Sequence, residues 1–161
     1  KIIANLPYQI STILLMKWLT EEICVTNCKS LTLMFQKEVA ERIIAHPGSK
    51  ARSRISLKTE LFTNAKIVHN IPAACFIPKP KIDSSLLHFE VLAKPKYRFN
   101  PVKLDQILRY AFNHKRKMLK SSLKALYPDV SNKLNSVGII ETERPEAIEL
   151  VKFCDLSLIN E

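Results

Sequence analysis

The hydrophobic period changes several times along the chain, and each change marks an element. Lys1-Ile2-Ile3-Ala4 is a short apolar run that stops at Asn5-Leu6-Pro7-Tyr8, the pattern of a buried strand entering a turn. Ser11 or Thr12 is predicted to cap a helix through Ile13, Leu14, Leu15, Met16, Trp18 and Leu19, ending near Asn27, with Trp18 in the core. Leu31, Leu33 and Phe35 alternate with less apolar neighbours, which predicts a second strand over 30–35. Phe35, Val39 and Ile43 then form an apolar stripe opposite charged residues, an amphipathic helix over 36–44 that Pro47-Gly48 stops. Within it Gln36 and Glu38 read as polar residues of a helix start. A basic loop, Lys50-Ala51-Arg52-Ser53-Arg54, leads into a short helical stretch over 55–62. Strands are predicted at 65–70 and 86–92, with a proline-studded connector from Pro72 to Pro80 between them. Alternating strand and helix patterns argue for an α/β sheet with some parallel strands.

The pattern shifts at residues 93–101. Lys94-Pro95-Lys96 reads as a linker, and Asn100-Pro101 as an N-cap followed by proline at the first helical position. Beyond it no period-2 segment occurs. Leu104, Ile107, Leu108, Ala111 and Phe112 recur at helical spacing, and Met118, Leu119, Leu123 and Leu126 continue it to Pro128. A short helix is predicted before Gly138, and a last one opening at Pro145 with Ile148, Leu150, Val151 and Cys154. The expected division is therefore 1–95 for the α/β part and 96–161 for a small all-helical domain.

Composition narrows the function classes. The chain has 161 residues, 47% of them hydrophobic, so it can bury a core and is not a disordered tail. No run approaches the ~18–20 apolar residues of a membrane-spanning helix. Lys1 opens directly into apolar residues with no charged-then-apolar leader, so no signal peptide, a cytoplasmic location and no membrane partner are expected. The formal charge is +10, which favours a polyanionic partner, nucleic acid before membrane surface. The excess is concentrated: residues 97–133 hold 9 basic and 2 acidic side chains, whereas 134–161 hold 2 basic and 6 acidic ones. Cys24, Cys28, Cys75 and Cys154 form no C-x-x-C pair, and none of the four histidines follows at zinc-finger spacing, so no metal is expected. Only Gly48 and Gly138 occur, which excludes a Gly-rich cofactor loop of the G-x-G type from this chain.

The informative motif is Asn5-Leu6-Pro7-Tyr8 after the first strand. Transfer of a methyl group to the N6 amine of adenine faces one obstacle: the amine lone pair is delocalised into the ring. Two acceptors on the two amine hydrogens favour a tetrahedral, more nucleophilic nitrogen. The Asn5 amide oxygen is one such acceptor. The Leu6 carbonyl is a second, since Pro7 holds Leu6 extended. Tyr8 offers a plane on which a flipped base stacks. Taken alone, the same four residues also describe an ordinary strand-ending turn.

Four further segments bear on that choice. They are Leu33-Met34-Phe35-Gln36-Lys37-Glu38-Val39-Ala40, the basic run from Gly48 to Ser56, Phe76-Ile77-Pro78-Lys79-Pro80-Lys81-Ile82-Asp83-Ser84, and Phe112-Asn113-His114-Lys115-Arg116-Lys117. With Asn5-Leu6-Pro7-Tyr8-Gln9-Ile10-Ser11-Thr12 they resemble, in the same order, the motifs of ribosomal RNA adenine dimethyltransferases, in particular the bacterial small-subunit type. The resemblance implies the C-terminal part of a Rossmann-like methyltransferase sheet followed by a helical rRNA-binding domain. It implies S-adenosylmethionine as methyl donor and no metal. The implied partner is small-subunit rRNA within the assembling small subunit, two adjacent adenines near its 3′ end being the target, with no obligate protein partner. By the same resemblance Asn5, Leu6, Pro7 and Tyr8 are catalytic, Asn5 also touches the donor, and Tyr8 and Phe76 sandwich the adenine.

Lys50, Arg52, Arg54, Lys79, Lys81, Lys115, Arg116 and Lys117 are the candidate RNA-binding residues, weighed against a merely solvated charge run. Asp83 reads as a residue that caps or orients the Phe76 loop, not as a general base. The chain departs from the family in having Ser53 where glycine, and Lys79 where proline, is usual. It also lacks the family's first three strands, its Gly-rich turn and its ribose-binding carboxylate, so the 161-residue chain alone is expected to be inactive. Two other functions stay open at this point: a resistance-type adenine methyltransferase acting on large-subunit rRNA, and a non-catalytic rRNA-binding assembly module.

Overall fold

Residues 30–36 alternate strictly enough to bury one face, and they form an inner strand of a four-stranded sheet. The computed structural model describes residues 1–19, 27–113 and 117–159. These fall into two compact units, Lys1–Ala45 with Ile55–Lys96, and His46–Arg54 with Tyr97–Glu161.

In the first unit the elements are β1 (Ile2–Ala4), α1 (Tyr8–Trp18), β2 (Ser30–Gln36), α2 (Lys37–Ile43), α3 (Arg54–Phe62), β3 (Thr63–Ile71) and β4 (Ser84–Val91). The strand order is β1-β2-β4-β3, with β1 parallel to β2 and the remaining pairs antiparallel. Leu31, Leu33, Phe35, Leu87 and Phe89 project to one face and meet Leu15 and Leu19 of the first helical segment and Ala40 and Ile43 of α2. Each such side chain contributes roughly 1.5–3 kcal/mol on burial, more than any local propensity in the segment. Phe35 and Phe89 add an edge-to-face contact at 6.3 Å. Trp18 packs against the same cluster, as predicted. In β1, Ile2 and Ala4 turn towards this core while Ile3 is 82% exposed.

In this unit three elements start two or more residues away from the pattern reading. The first helix starts at Tyr8, not after Ser11 or Thr12, because Pro7 takes the N-cap place with an extended ψ of 132°. The Pro7 carbonyl accepts the Ile10 and Ser11 N–H groups at 3.1 Å, and the Ser11 hydroxyl donates back to the Tyr8 carbonyl at 3.0 Å. Strands β3 and β4 each begin two residues earlier than predicted. Their first residues, Thr63, Ser84 and Ser85, are polar yet buried, because cross-strand pairing overrides their turn propensity. The stretch over 20–26 lies outside the described residues, and with it the predicted end of the first helix.

The second unit holds α4 (Pro101–Asn113), α5 (Leu119–Leu123), α6 (Val130–Ser136) and α7 (Leu150–Leu158). The Asn100 side-chain oxygen accepts the N–H groups of Val102 and Lys103 at 3.1 Å, the cap read from the sequence. Gly138 follows α6 with φ +67°, a backbone conformation that a Cβ would strain. Pro145 opens a 3-10 turn (Pro145–Ala147) and not the last helix, which begins at Leu150. Segment 46–54 packs with these helices: Gly48, at φ +86°, donates its N–H to the Glu146 carbonyl at 2.8 Å.

Candidate active site

Strand directions bring three chain segments to one margin of the sheet. β1 and β2 run parallel, with Ala4 level with Leu33, three residues before β2 ends at Gln36; β4 runs the other way, with Ser84 opposite Gln36. The Asn5–Tyr8 turn after β1 and the 72–83 connector before β4 therefore meet beyond the carboxyl ends of the parallel strands, where open α/β sheets place their ligands.

Between them lies a cavity of about 390 Å³, lined by Asn5, Leu6, Pro7, Tyr8, Met34, Phe76, Ile77, Pro78 and Pro80. All five catalytic candidates from the sequence are in that lining. Its walls are apolar apart from Asn5, the backbone and the Tyr8 hydroxyl. That hydroxyl is already engaged, at 2.6 Å from the Ser84 Oγ. Phe76 leaves the 3-10 turn Ala73–Cys75 in extended conformation, so its ring stands clear of the turn. The turn is held from below: the Ala73 N–H donates to the Asp83 carboxylate at 2.8 Å, and the Lys37 N–H to the Asp83 carbonyl at 2.9 Å. Asp83 thus does orient the Phe76 loop.

A neutral slot with two aromatic side chains and an amide suits a planar, uncharged heterocycle carrying hydrogen-bond donors. Comparison with known proteins points the same way. The model of the "Ribosomal RNA adenine dimethylase" family matches residues 1–160. The chain belongs to that family. Proteins named ribosomal RNA small subunit methyltransferase A are similar to it: that of Roseobacter denitrificans at 45% identity and that of Cereibacter sphaeroides at 47%, each over 157 residues. Each alignment takes in 98% of this chain and 56% of the relative, so the chain spans little more than half the length of these curated relatives. A crystal structure of a dimethyladenosine transferase from Plasmodium falciparum superposes with a TM-score of 0.75 at 25% identity, covering 97% of this chain and 65% of that one. A 23S rRNA methyltransferase, ErmE, shares the fold with a TM-score of 0.64 at 18% identity. The architecture is accordingly that of the C-terminal part of a Rossmann-like methyltransferase sheet followed by a helical unit.

The candidate cations divide sharply. Lys79 and Lys81 are exposed on the connector that carries Phe76, and Lys50 and Lys117 are exposed in the second unit. Arg54 is half-buried and paired with Asp105 at 3.3 Å. Arg52 is a correction: its side chain is only 1% exposed, so it cannot meet a phosphate from solvent. A loop that must fold back onto a helical unit uses its middle residue for packing, which charge counting does not register. Lys115 and Arg116 lie outside the described residues. Among the described residues no group of His, Cys, Asp and Glu is placed to hold a metal ion.

The donor side can be tested on the lining itself. It contains no carboxylate and no glycine, and both glycines of the chain belong to the second unit. These residues fit a planar, uncharged base. Alone they do not fit S-adenosylmethionine, which needs partners for its ribose and its amino-acid end. Sequence reasoning missed Met34, Ile77, Pro78 and Pro80 as lining, and Ser84 as the partner of Tyr8. Met34 had a signal, since it occupies the face of β2 opposite Leu33 and Phe35; Ser84 closes the Phe76–Ser84 segment of the resemblance, but nothing there points to Tyr8 as its partner.

Proposed function

We propose that this chain forms the target-adenine side of an enzyme that dimethylates N6 of two adjacent adenines near the 3′ end of small-subunit rRNA, during small-subunit assembly in the cytoplasm. The methyl group comes from S-adenosylmethionine, bound by groups other than this lining apart from a contact at Asn5. Residues 1–95 serve the base, and 96–161, with Lys50 of the segment packed on them, serve the rRNA backbone.

The observation that carries this reading is the convergence of Asn5, Leu6, Tyr8 and Phe76 on one neutral cavity. A flipped adenine enters edge first and stacks between Tyr8 and Phe76. The Asn5 amide oxygen and the Leu6 carbonyl take the two amine hydrogens, pulling the lone pair out of ring conjugation. Exposed lysines outside the cavity hold phosphates without selecting the base. The small-subunit reading is preferred to the large-subunit one because the relatives at 45–47% identity carry the small-subunit name.

In the intact gene product, Asn5→Ala is expected to abolish methyl transfer to small subunits while RNA affinity stays near that of the parent. Radiolabelled methyl incorporation together with filter binding measures both. Near-normal turnover would overturn the proposal.

A further inference from the structure

We propose that Asp83 and Ser84, neighbours in sequence, together fix the spacing of the two aromatic walls that receive the adenine. The inference rests on the function proposed above and adds two positioning residues to it.

Ser84 is the firmer of the two. It is fully buried, and as the first residue of β4 it pairs with Gln36 on one side and Ile71 on the other. Its backbone therefore cannot shift without breaking two strand pairings. Its Oγ lies 2.6 Å from the Tyr8 hydroxyl, across 76 residues of sequence. Tyr8 is the first residue of α1, where the backbone leaves the ring free to swing about its side-chain torsions. The hydrogen bond ties down the far end of the ring. Water does not compete at a buried Oγ, so the tether fixes where the far end of the ring lies.

Asp83 acts on the opposite wall. Its carbonyl accepts from the Lys37 N–H at the start of α2, which fixes its own position. Its carboxylate then accepts from the Ala73 N–H at 2.8 Å, a charge-assisted bond to the residue that opens the Phe76 turn. The Phe76 N–H closes that turn onto the Ala73 carbonyl at 3.3 Å. One dipeptide at the mouth of the sheet is thus the common reference for both rings. An error of about 1 Å in such a site is enough to lower a rate by roughly a hundredfold.

The test uses the intact gene product with small subunits, and rRNA carrying 2-aminopurine at the target adenine as a probe of stacking. Tyr8→Phe keeps the ring and removes only the tether; Ser84→Ala removes it from the other end. Each is expected to lower kcat about tenfold to a hundredfold, with KM for rRNA unchanged and 2-aminopurine quenching reduced. The double variant should be no worse than either single one, because one hydrogen bond is lost in all three. Asp83→Ala should likewise reduce quenching, and Asp83→Asn, which retains the acceptor oxygen, should restore most of it. Parental quenching and kcat in Tyr8→Phe would overturn the inference even if Ser84→Ala failed to fold. So would additive losses in the double variant. A parent enzyme that neither quenches the probe nor methylates rRNA would overturn the proposed function itself, which is a separate outcome.

Discussion

The sheet unit and the helical unit offer a ligand opposite means of recognition. In the sheet unit the cavity is lined without a single charged side chain, and what it presents is two rings, an amide and a carbonyl. In the helical unit the resource is charge, with 9 basic against 2 acidic residues over 97–133. Three of those nine basic side chains have internal partners. The Lys103 ammonium donates to the Ile159 carbonyl at 3.2 Å, Lys120 pairs with Glu141 at 3.0 Å, and Lys133 sits 4.7 Å from the centre of the Tyr127 ring. Arg54 faces Asp105, and Arg52 is buried. By contrast, Lys79 and Lys81 of the sheet unit's connector are engaged by no described residue. A net charge therefore overstates how many phosphates a surface can neutralise, while a neutral pocket understates how well a site can choose a base.

The sharpest way to break that contrast is Arg52→Ala against Lys50→Ala. Emptying the buried Arg52 site should lower stability by about 2–5 kcal/mol, whereas the exposed Lys50 change should leave thermal unfolding almost unmoved. An Arg52→Ala protein with parental melting and a reduced salt slope would return Arg52 to the RNA surface. Next in size are Tyr8→Ala and Phe76→Ala. Each should weaken binding of an adenine-bearing oligonucleotide by ~1–3 kcal/mol with its salt dependence intact. A change in slope in either variant would mean that the rings do more than stack. Replacing Lys79 and Lys81 with Ala should do the reverse. Each lost phosphate contact should lower the log–log salt slope by about 0.7–0.9, with kcat at saturating rRNA unaltered; a parental slope would leave both as solvated residues.

The smallest effect belongs to Glu141. Hydrogen bonds from Ser131 and Lys120 hold its carboxyl below the usual glutamate range. A folded-state pKa below the unfolded one means that its contribution is fully present above the unfolded value. It is lost as pH falls through the folded one. Glu141→Gln should therefore flatten the acid side of the melting-temperature profile slightly and leave neutral pH nearly unchanged; identical acid limbs would count against it.

Local signals made much of the fold legible. The Asn100-Pro101 start of α4, the turn at Gly138 and the alternation of β2 each depend on residues within a few positions of one another, and each was read correctly. What escaped depends on distant partners. Nothing near Ser84 in sequence announces that a hydroxyl 76 residues away will meet it, and nothing near Thr63 or Ser85 announces burial between strands. Pro145 shows the converse error: proline signals a helical turn well, but not how long the helix will run. At the candidate site, the five residues named from the Asn5–Tyr8 motif and the Phe76 segment converge on one cavity because both flank strand ends at the same margin. Arg52 was misplaced because charge says nothing about which side of a loop faces inward.

The two margins of the sheet also differ in how they would behave between molecules. β3, at one side, is nine residues long, carries a register break between Ile67 and His69, and exposes Asn64, Lys66 and His69, all features that discourage another strand from adding. β1, at the other side, has Ile3 82% exposed and no charge within the strand. The β3 margin is therefore closed to the growth of a continuous sheet from one copy to the next.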